Sequence, residues 1–205
     1  MRPTPIYEID WHALYLQKTS GKPVFGKTYL RKLVLLEKPF ISVVNKYLRR
    51  GARILDAGSG LGRVSLLLSL EGYKLTALDC SWKMLSIARK NVKRNGGKAR
   101  FILGDLTKLP FKQGAFDAIV HQGILEHFSS RKAKSIIKHH LNIAPLVIFS
   151  VPLRSSRTDD YFSGDGARRN LMRISEWRKL LMGFKVLEMK GAPQRTLNMI
   201  AVISR

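Results

Sequence analysis

The residues of this chain best equipped for chemistry are three aspartates and a run of glycines. Asp56-Ala57-Gly58-Ser59-Gly60-Leu61-Gly62 follows a short apolar run, Arg53 to Ala57, and leads into an apolar helical stretch, Val64 to Leu70. Glycines at such a junction let the backbone pack closely against a ligand and against the following helix. Asp79 comes 23 residues after Asp56, at the end of the next apolar run. That is the place for a carboxylate accepting both hydroxyls of a ribose. Asp105 closes a third run. In open α/β sheets ligands bind outside the carboxyl ends of the strands, where all three acids fall. A glycine loop by itself is also simply a tight turn, and only its combination with the acids favours a nucleotide site. The spacing here is G-x-G-x-G with an Asp two residues ahead, not the dinucleotide fingerprint G-x-G-x-x-G. No second mononucleotide half follows, and no G-x-x-x-x-G-K-[ST] phosphate cradle occurs.

The elements that must position these residues alternate. Helical spacing predicts a helix from Lys27 to Arg49, broken or kinked at Pro39. Strands are expected at 53–57, 74–78, 99–103, 116–120 and 145–151. Between them come a helix at 64–70 stopped by Gly72, one N-capped by Ser81 and running to Asn95, and a polar one from Ser130 to His140. The tail differs: a helix ends at Trp177 to Met182, and strands at 183–188 and 197–203 follow with no helix between them. Strands so joined across Lys190 to Gln194 form a hairpin, so the last runs antiparallel. The expected fold is α/β: a Rossmann-like, seven-stranded, mostly parallel sheet with helices on both faces and an antiparallel C-terminal hairpin strand.

Composition bounds the rest. A chain of 205 residues, 45% hydrophobic, suits a single domain over 1–205, with 1–50 an N-terminal helical lid or extension and 51–205 the core. With 37 Lys+Arg against 14 Asp+Glu the net charge is +23, which attracts polyanions. The excess is spread over all four quarters of the chain, so it fits a solubility device as well as an RNA-binding stripe. Cys80, the single cysteine, excludes an internal disulfide, a Cys-based zinc site and a Cys-ligated cluster, and no metal is expected. The start lacks the apolar core of a signal peptide, and the longest apolar runs fall far short of the roughly 20 residues a bilayer-spanning helix needs. A soluble, cytoplasmic protein without a membrane span is expected.

Taken together, LDAGSGLG, LTALDCS, FILGDLTKLPF, FDAIVHQGILEHF and the closing GFKVLEM and MIAVISR resemble the class I S-adenosylmethionine-dependent methyltransferases, most of all the small "methyltransferase type 11" group. The likeness covers about residues 50–205. It implies S-adenosyl-L-methionine as cofactor and S-adenosyl-L-homocysteine as product. By the same resemblance Gly58, Ser59, Gly60 and Gly62 would hold the methionine part, with Asp56 near its ammonium. Asp79 would bind the ribose, with Cys80 or Ser81 beside the adenine, and Cys80 is otherwise a small buried residue. Gly104, Asp105 and the Leu106 backbone would face the adenine amino edge near Phe111, and His121-Gln122-Gly123 would pass under the methionine chain.

The family's reaction is an in-line displacement at an already activated methyl group, so alignment and desolvation can carry much of the catalysis. Where the acceptor must lose a proton, His127 and His121 are the candidate bases, with Glu126 behind them. The plain alternative is that Glu126 and His127 brace or cap a helix start. Enzymes methylating adenine amines or glutamine amides carry [DN]-P-P-[YF] where this chain has His121-Gln122-Gly123-Ile124. A small, anionic acceptor with an O or N nucleophile is therefore expected. Acceptor contacts are expected from Trp11 and Tyr15, with Tyr7, His12 and Phe25 nearby, and from an insertion at 154–173 holding Arg154, Arg157, Tyr161, Phe162, Arg168 and Arg169. Two rival readings are an RNA methyltransferase and a cofactor-binding but inactive partner subunit.

Overall fold

The structure, a computed structural model, describes residues 10, 12–13, 27–155, 169–193 and 197–205. The described residues up to Leu109 form one compact unit, and those from Pro110 onward form another.

In the first unit, helix α1, Lys27–Tyr47, buries Leu33, Glu37, Phe40, Ile41 and Val44 at helical spacing. It runs on through Pro39, where the sequence predicts a break or a kink, so the helix is not broken there. Proline removes one rung of the hydrogen-bond ladder, but the buried stripe continues on both sides of it and holds the two halves in one helix. Strand β1, Arg53–Ala57, leads to α2, Arg63–Leu70; β2, Lys74–Asp79, to α3, Trp82–Arg94; and β3, Ala99–Leu103, closes the set. The strands are parallel in the order β3-β2-β1, with Asp56 opposite Ala77 and Asp79 opposite Leu103. Ser81 caps α3 by accepting from the Met84 N–H at 3.3 Å, and Gly96 at φ 77° follows its last turn. The ion pair of the buried Glu37 with the partly exposed Arg63, 3.5 Å, ties α1 to the start of α2.

In the second unit, β4 is Ala118–Gln122, β5 Leu146–Pro152, β6 Lys185–Pro193 and β7 Leu197–Ser204, with α4, Ser130–Ile143, and α5, Ile174–Leu180. The order is β4-β5-β7-β6, with β4 and β5 parallel and β7 antiparallel to both its neighbours. Trp177 of α5 is fully buried against Phe149 of β5, ring centres 5.5 Å apart. Two strands lie differently from expectation. β4 begins at Ala118, because Phe116 is spent on an edge-to-face pair with Phe111 at 5.0 Å before pairing with β5 begins. β6 runs through Gly191 to Pro193, residues expected in the hairpin turn. It is the outermost strand of this group, where a proline costs no ladder bond. The two units carry a seven-stranded, mostly parallel sheet with an antiparallel C-terminal strand and helices packed on it, the α/β class that the sequence predicts.

One contact sets how closely α3 approaches the glycine loop. Gly62 lies at φ 76°, and a Cβ there would stand 3.0 Å from the buried Ala88 Cβ and 3.2 Å from Val92 Cγ2. Gly62→Val is expected to lose about 2–4 kcal/mol, from left-handed strain and overpacking together. Gly51→Val, at φ 86° with nothing within 4 Å, is expected to lose only the strain. Urea unfolding checks this; equal losses would contradict it.

Candidate functional site

The first unit holds the glycine loop and all three aspartates. The N–H groups of Gly58 and Ser59 both donate to the Leu78 carbonyl, at 2.8 and 2.9 Å, fastening the loop to the end of β2. Gly58, Gly60 and Gly62 take φ of 83°, 51° and 76°, a left-handed path that only glycine follows without strain. The loop thereby aims the Gly60 N–H at Asp79 Oδ2, 2.8 Å, while the Ser81 N–H donates to Oδ1 at 2.9 Å. Asp79 is 8% exposed, and burial raises its carboxyl pKa against the pull of the Ser81, Gly60 and Cys80 amides. Each oxygen keeps a lone pair for a further donor. A Cβ on Gly60 would meet nothing within 4 Å, so open space adjoins the acid. The Ser59 hydroxyl is buried there without a hydrogen-bond partner. The Gly104 N–H donates to the Asp79 carbonyl at 3.0 Å, and Asp105 N-caps the turn Leu106–Lys108 through the Thr107 N–H at 2.7 Å.

Three expectations change here. Asp56 lies within β1, 2% exposed, and its carboxylate accepts the Ser65 hydroxyl of α2 at 2.6 Å instead of opening at the rim. Burial raises its pKa to about 6, opposed by Ser65. The close packing expected between the glycines and the following helix falls instead between Gly62 and α3, and Gly60 is uncrowded. Cys80 is exposed rather than buried, and desolvation with the Asp79 charge raises its thiol pKa, so it is no thiolate nucleophile.

In the second unit, β4 is followed by Gly123 at φ 69°, whose N–H donates to the Ser150 carbonyl of β5 at 2.9 Å. The His121 side chain is 1% exposed, stacks on Phe149 at 5.8 Å and shares a hydrogen bond with His140 of α4, Nε2 to Nδ1, at 3.2 Å. Burial and His140 hold its pKa well below the usual range, so this ring is a core group and not a base facing an acceptor. Glu126 is 3% exposed, with Oε1 4.0 Å from His127 Nε2 and Oε2 lacking a hydrogen-bond partner. Burial lifts its pKa to about 7, opposed by its own N–H and by Arg169. Neither residue caps a helix: that task falls to Ser129, whose hydroxyl accepts the Lys132 N–H. The Glu126 carbonyl instead accepts the Asn170 N–H, and Asn170 donates to the Phe128 carbonyl and Ser130 Oγ.

Arg154 is exposed, and its Nε donates to the Leu171 carbonyl at 3.0 Å, closing the ends of its segment. Tyr7, Trp11, Tyr15, Phe25, Arg157, Tyr161, Phe162 and Arg168 lie outside the described residues. Sequence reasoning missed Ser65, Asn170 and His140. Ser65, one of two serines in the apolar run VSLLLSL, was the one signal available. Among the described residues no group of three His, Cys, Asp or Glu could hold a metal.

Residues 54–143 match the family described as "Methyltransferase domain". The chain is 39% identical over 69 residues to a demethylmenaquinone methyltransferase of Thermus thermophilus, covering 33% of this chain and 31% of that one. It is 29% identical over 134 residues to the release factor glutamine methyltransferase of Bordetella pertussis, covering 57% and 50%. The chain spans about a third of the length of the curated relatives it matches first. Among solved structures it resembles the magnesium protoporphyrin IX methyltransferase of Synechocystis with bound S-adenosylhomocysteine, at TM-score 0.70 and 21% identity over 95% of this chain and 92% of that one. A S-adenosylmethionine-dependent methyltransferase of Aquifex aeolicus gives TM-score 0.66 at 20% identity, covering 87% and 99%. Residues 54–143 thus match a methyltransferase-domain family, and the fold is that of the solved S-adenosylmethionine-dependent methyltransferases.

The buried Glu126 makes a pH test. Its folded pKa of about 7 lies above the ordinary 4.5, so its stabilising share is present below about pH 4.5 and is lost as pH rises to about 7. His121, with its lowered pKa, works in the opposite sense, so the difference from a variant isolates Glu126. Glu126→Gln is expected to match the parent in acid and to exceed it by about 3 kcal/mol above neutrality in urea unfolding. A pH-independent difference would contradict this.

Proposed function

We propose that this chain transfers the methyl group of S-adenosylmethionine to a small, anionic acceptor through an O or N nucleophile. The observation that carries the reading is the Asp79 carboxylate, clamped by the Gly60 and Ser81 amides beside open space over Gly60. The residues present fit the group: a buried anion with a free lone pair on each oxygen suits a ribose diol, and the unpartnered Ser59 hydroxyl suits a polar methionine end. In this reading Gly58, Ser59, Gly60 and Gly62 line the methionine part. Asp79 accepts from the ribose, Cys80 and Ser81 flank the adenine, and Gly104, Asp105 and Leu106 meet its amino edge. Gln122, Gly123 and the His121 backbone keep the role that the family resemblance gives them. Asp56, turned onto Ser65, shapes the loop from below rather than meeting the ammonium.

When bound, the cofactor supplies a methyl on a sulfonium, already activated for displacement. The chain's own work is then to orient, to exclude water and, where needed, to take a proton. Clamping Asp79 fixes the ribose acceptor before the ligand arrives, which lowers the ordering cost of binding. His127 is the residue assigned the proton, with the Glu126 carboxyl 4.0 Å from its Nε2. The acceptors named for the relatives include quinone precursors and a porphyrin as well as proteins. The His121-Gln122-Gly123-Ile124 turn, in place of [DN]-P-P-[YF], supports the small-molecule side.

Asp79→Ala is expected to abolish calorimetric binding of S-adenosylhomocysteine while far-ultraviolet circular dichroism stays native. Undiminished affinity would refute the site. His127→Ala is expected to lower turnover about 100-fold or more with cofactor affinity kept. Full activity would remove His127 from the mechanism.

A further inference from the structure

Between Asp79 and Asp105 the chain holds seven Lys and Arg residues and no acid. Most of them ride on α3, whose apolar residues, Met84, Leu85, Ala88 and Val92, are buried on the opposite side. The outward arc consists of two stripes at helical spacing. One is Trp82, Arg89 and Lys93; the other is Lys83, Lys90 and Arg94. Each stripe sets residues seven apart about 10 Å from one another along the axis. Arg89 also lies over the Phe101 ring of β3 at 5.5 Å, so the first stripe borders that strand. Arg100 on β3 and Lys98 just before it are exposed and extend the positive surface.

Asp10 acts electrostatically on Lys83, and α3 itself holds no acid to answer its other cations. Arg89–Lys93 and Lys90–Arg94 are like-charge pairs at i,i+4, which disfavour a helix, and no carboxylate within α3 relieves them. Edge protection accounts for Lys98 and Arg100, since β3 is the outer strand of its group, but a helix has no edge to protect. The apolar part of the surface is also out of the ordinary. Trp82 is 66% exposed and Leu103 60% exposed, and both stand at the carboxyl ends of β2 and β3, Leu103 opposite Asp79 in register.

We infer that this face docks the protein on an anionic phospholipid bilayer. The α3 and β3 cations would lie against the headgroups, with Trp82 and Leu103 entering the interface. Cations alone suit any polyanion. An exposed tryptophan and leucine inside the same patch need an apolar layer beside the charge, which a bilayer interface supplies and a phosphate backbone does not. The attachment is peripheral: among the described residues no helix is long and apolar enough to cross a membrane. That the docked face brings the cofactor rim to the lipid rests on the function proposed above; docking itself does not.

The test uses the full chain without cofactor or acceptor, so it reads docking separately from methyl transfer. Binding is measured by co-sedimentation with vesicles of phosphatidylcholine alone and with phosphatidylglycerol added. Capture only by the anionic vesicles is expected, weakening as salt is raised. Lys90→Glu with Lys93→Glu should weaken it by about tenfold or more. The equal charge change Lys132→Glu with Lys138→Glu, exposed on α4, should cost less than about threefold. A vesicle-induced blue shift of tryptophan emission should vanish in Trp82→Phe. Equal losses from the two double variants, a blue shift that survives Trp82→Phe, or capture by single-stranded RNA with vesicles left unbound would each overturn the proposal.

Discussion

The interaction on which the rest of the site depends is the pair of amide hydrogen bonds to Asp79. A carboxylate this buried loses most of its hydration, and the penalty shows as a raised pKa. The Gly60 and Ser81 N–H groups offset part of that cost, and each imposes a geometry on its own segment. For the Gly60 amide to face β2, the chain after β1 must turn through three left-handed residues. For Gly62 to complete that turn, α3 must present Ala88, because a larger side chain would collide. Ser81, which donates to the carboxylate through its backbone, also starts α3 through its hydroxyl. One anion thus coordinates a loop, a strand end and a helix start, and leaves a face of open space beside itself.

Much of this was legible in the sequence. Strand and helix alternation follows from apolar runs punctuated by Gly72, Ser81 and Gly96, whose local conformations depend little on distant contacts. Asp79 was legible because its position after a strand is a backbone fact. What escaped was tertiary. Asp56 and Asp79 look alike as residues closing strands, yet β1 turns Asp56 onto Ser65 while β2 leaves Asp79 at the rim. No local pattern tells a crowded glycine from an open one, since the neighbour of Gly62 comes from a helix twenty residues further on. The start of β4 slipped because Phe116, a good strand residue, is claimed by Phe111.

The second unit shows how neighbours, rather than burial, separate two residues of one chemical type, since the His121 and His127 side chains are both buried. His121 and His127 are six positions apart, but His121 is a neutral core ring bonded to His140, while His127 stands next to an acid whose titration is moved to about pH 7. A chain so rich in cations uses its buried acids to tie elements together: Glu37 of α1 to the start of α2, Asp56 of β1 to Ser65, Asp79 to the glycine loop and the Glu126 backbone to Asn170. Its cations are left outside, and on α3 they collect on a helix that holds no acid of its own.

The central claim is that the clamped Asp79 and the space over Gly60 receive the methyl donor. Amide resonances of the 23.3 kDa chain, followed while S-adenosylhomocysteine is added, test it most directly. The account predicts saturable shifts largest at Gly60 and Ser81, whose N–H groups share the carboxylate with the ligand. Those two resonances standing still at saturating ligand, with shifts elsewhere or none at all, would contradict it.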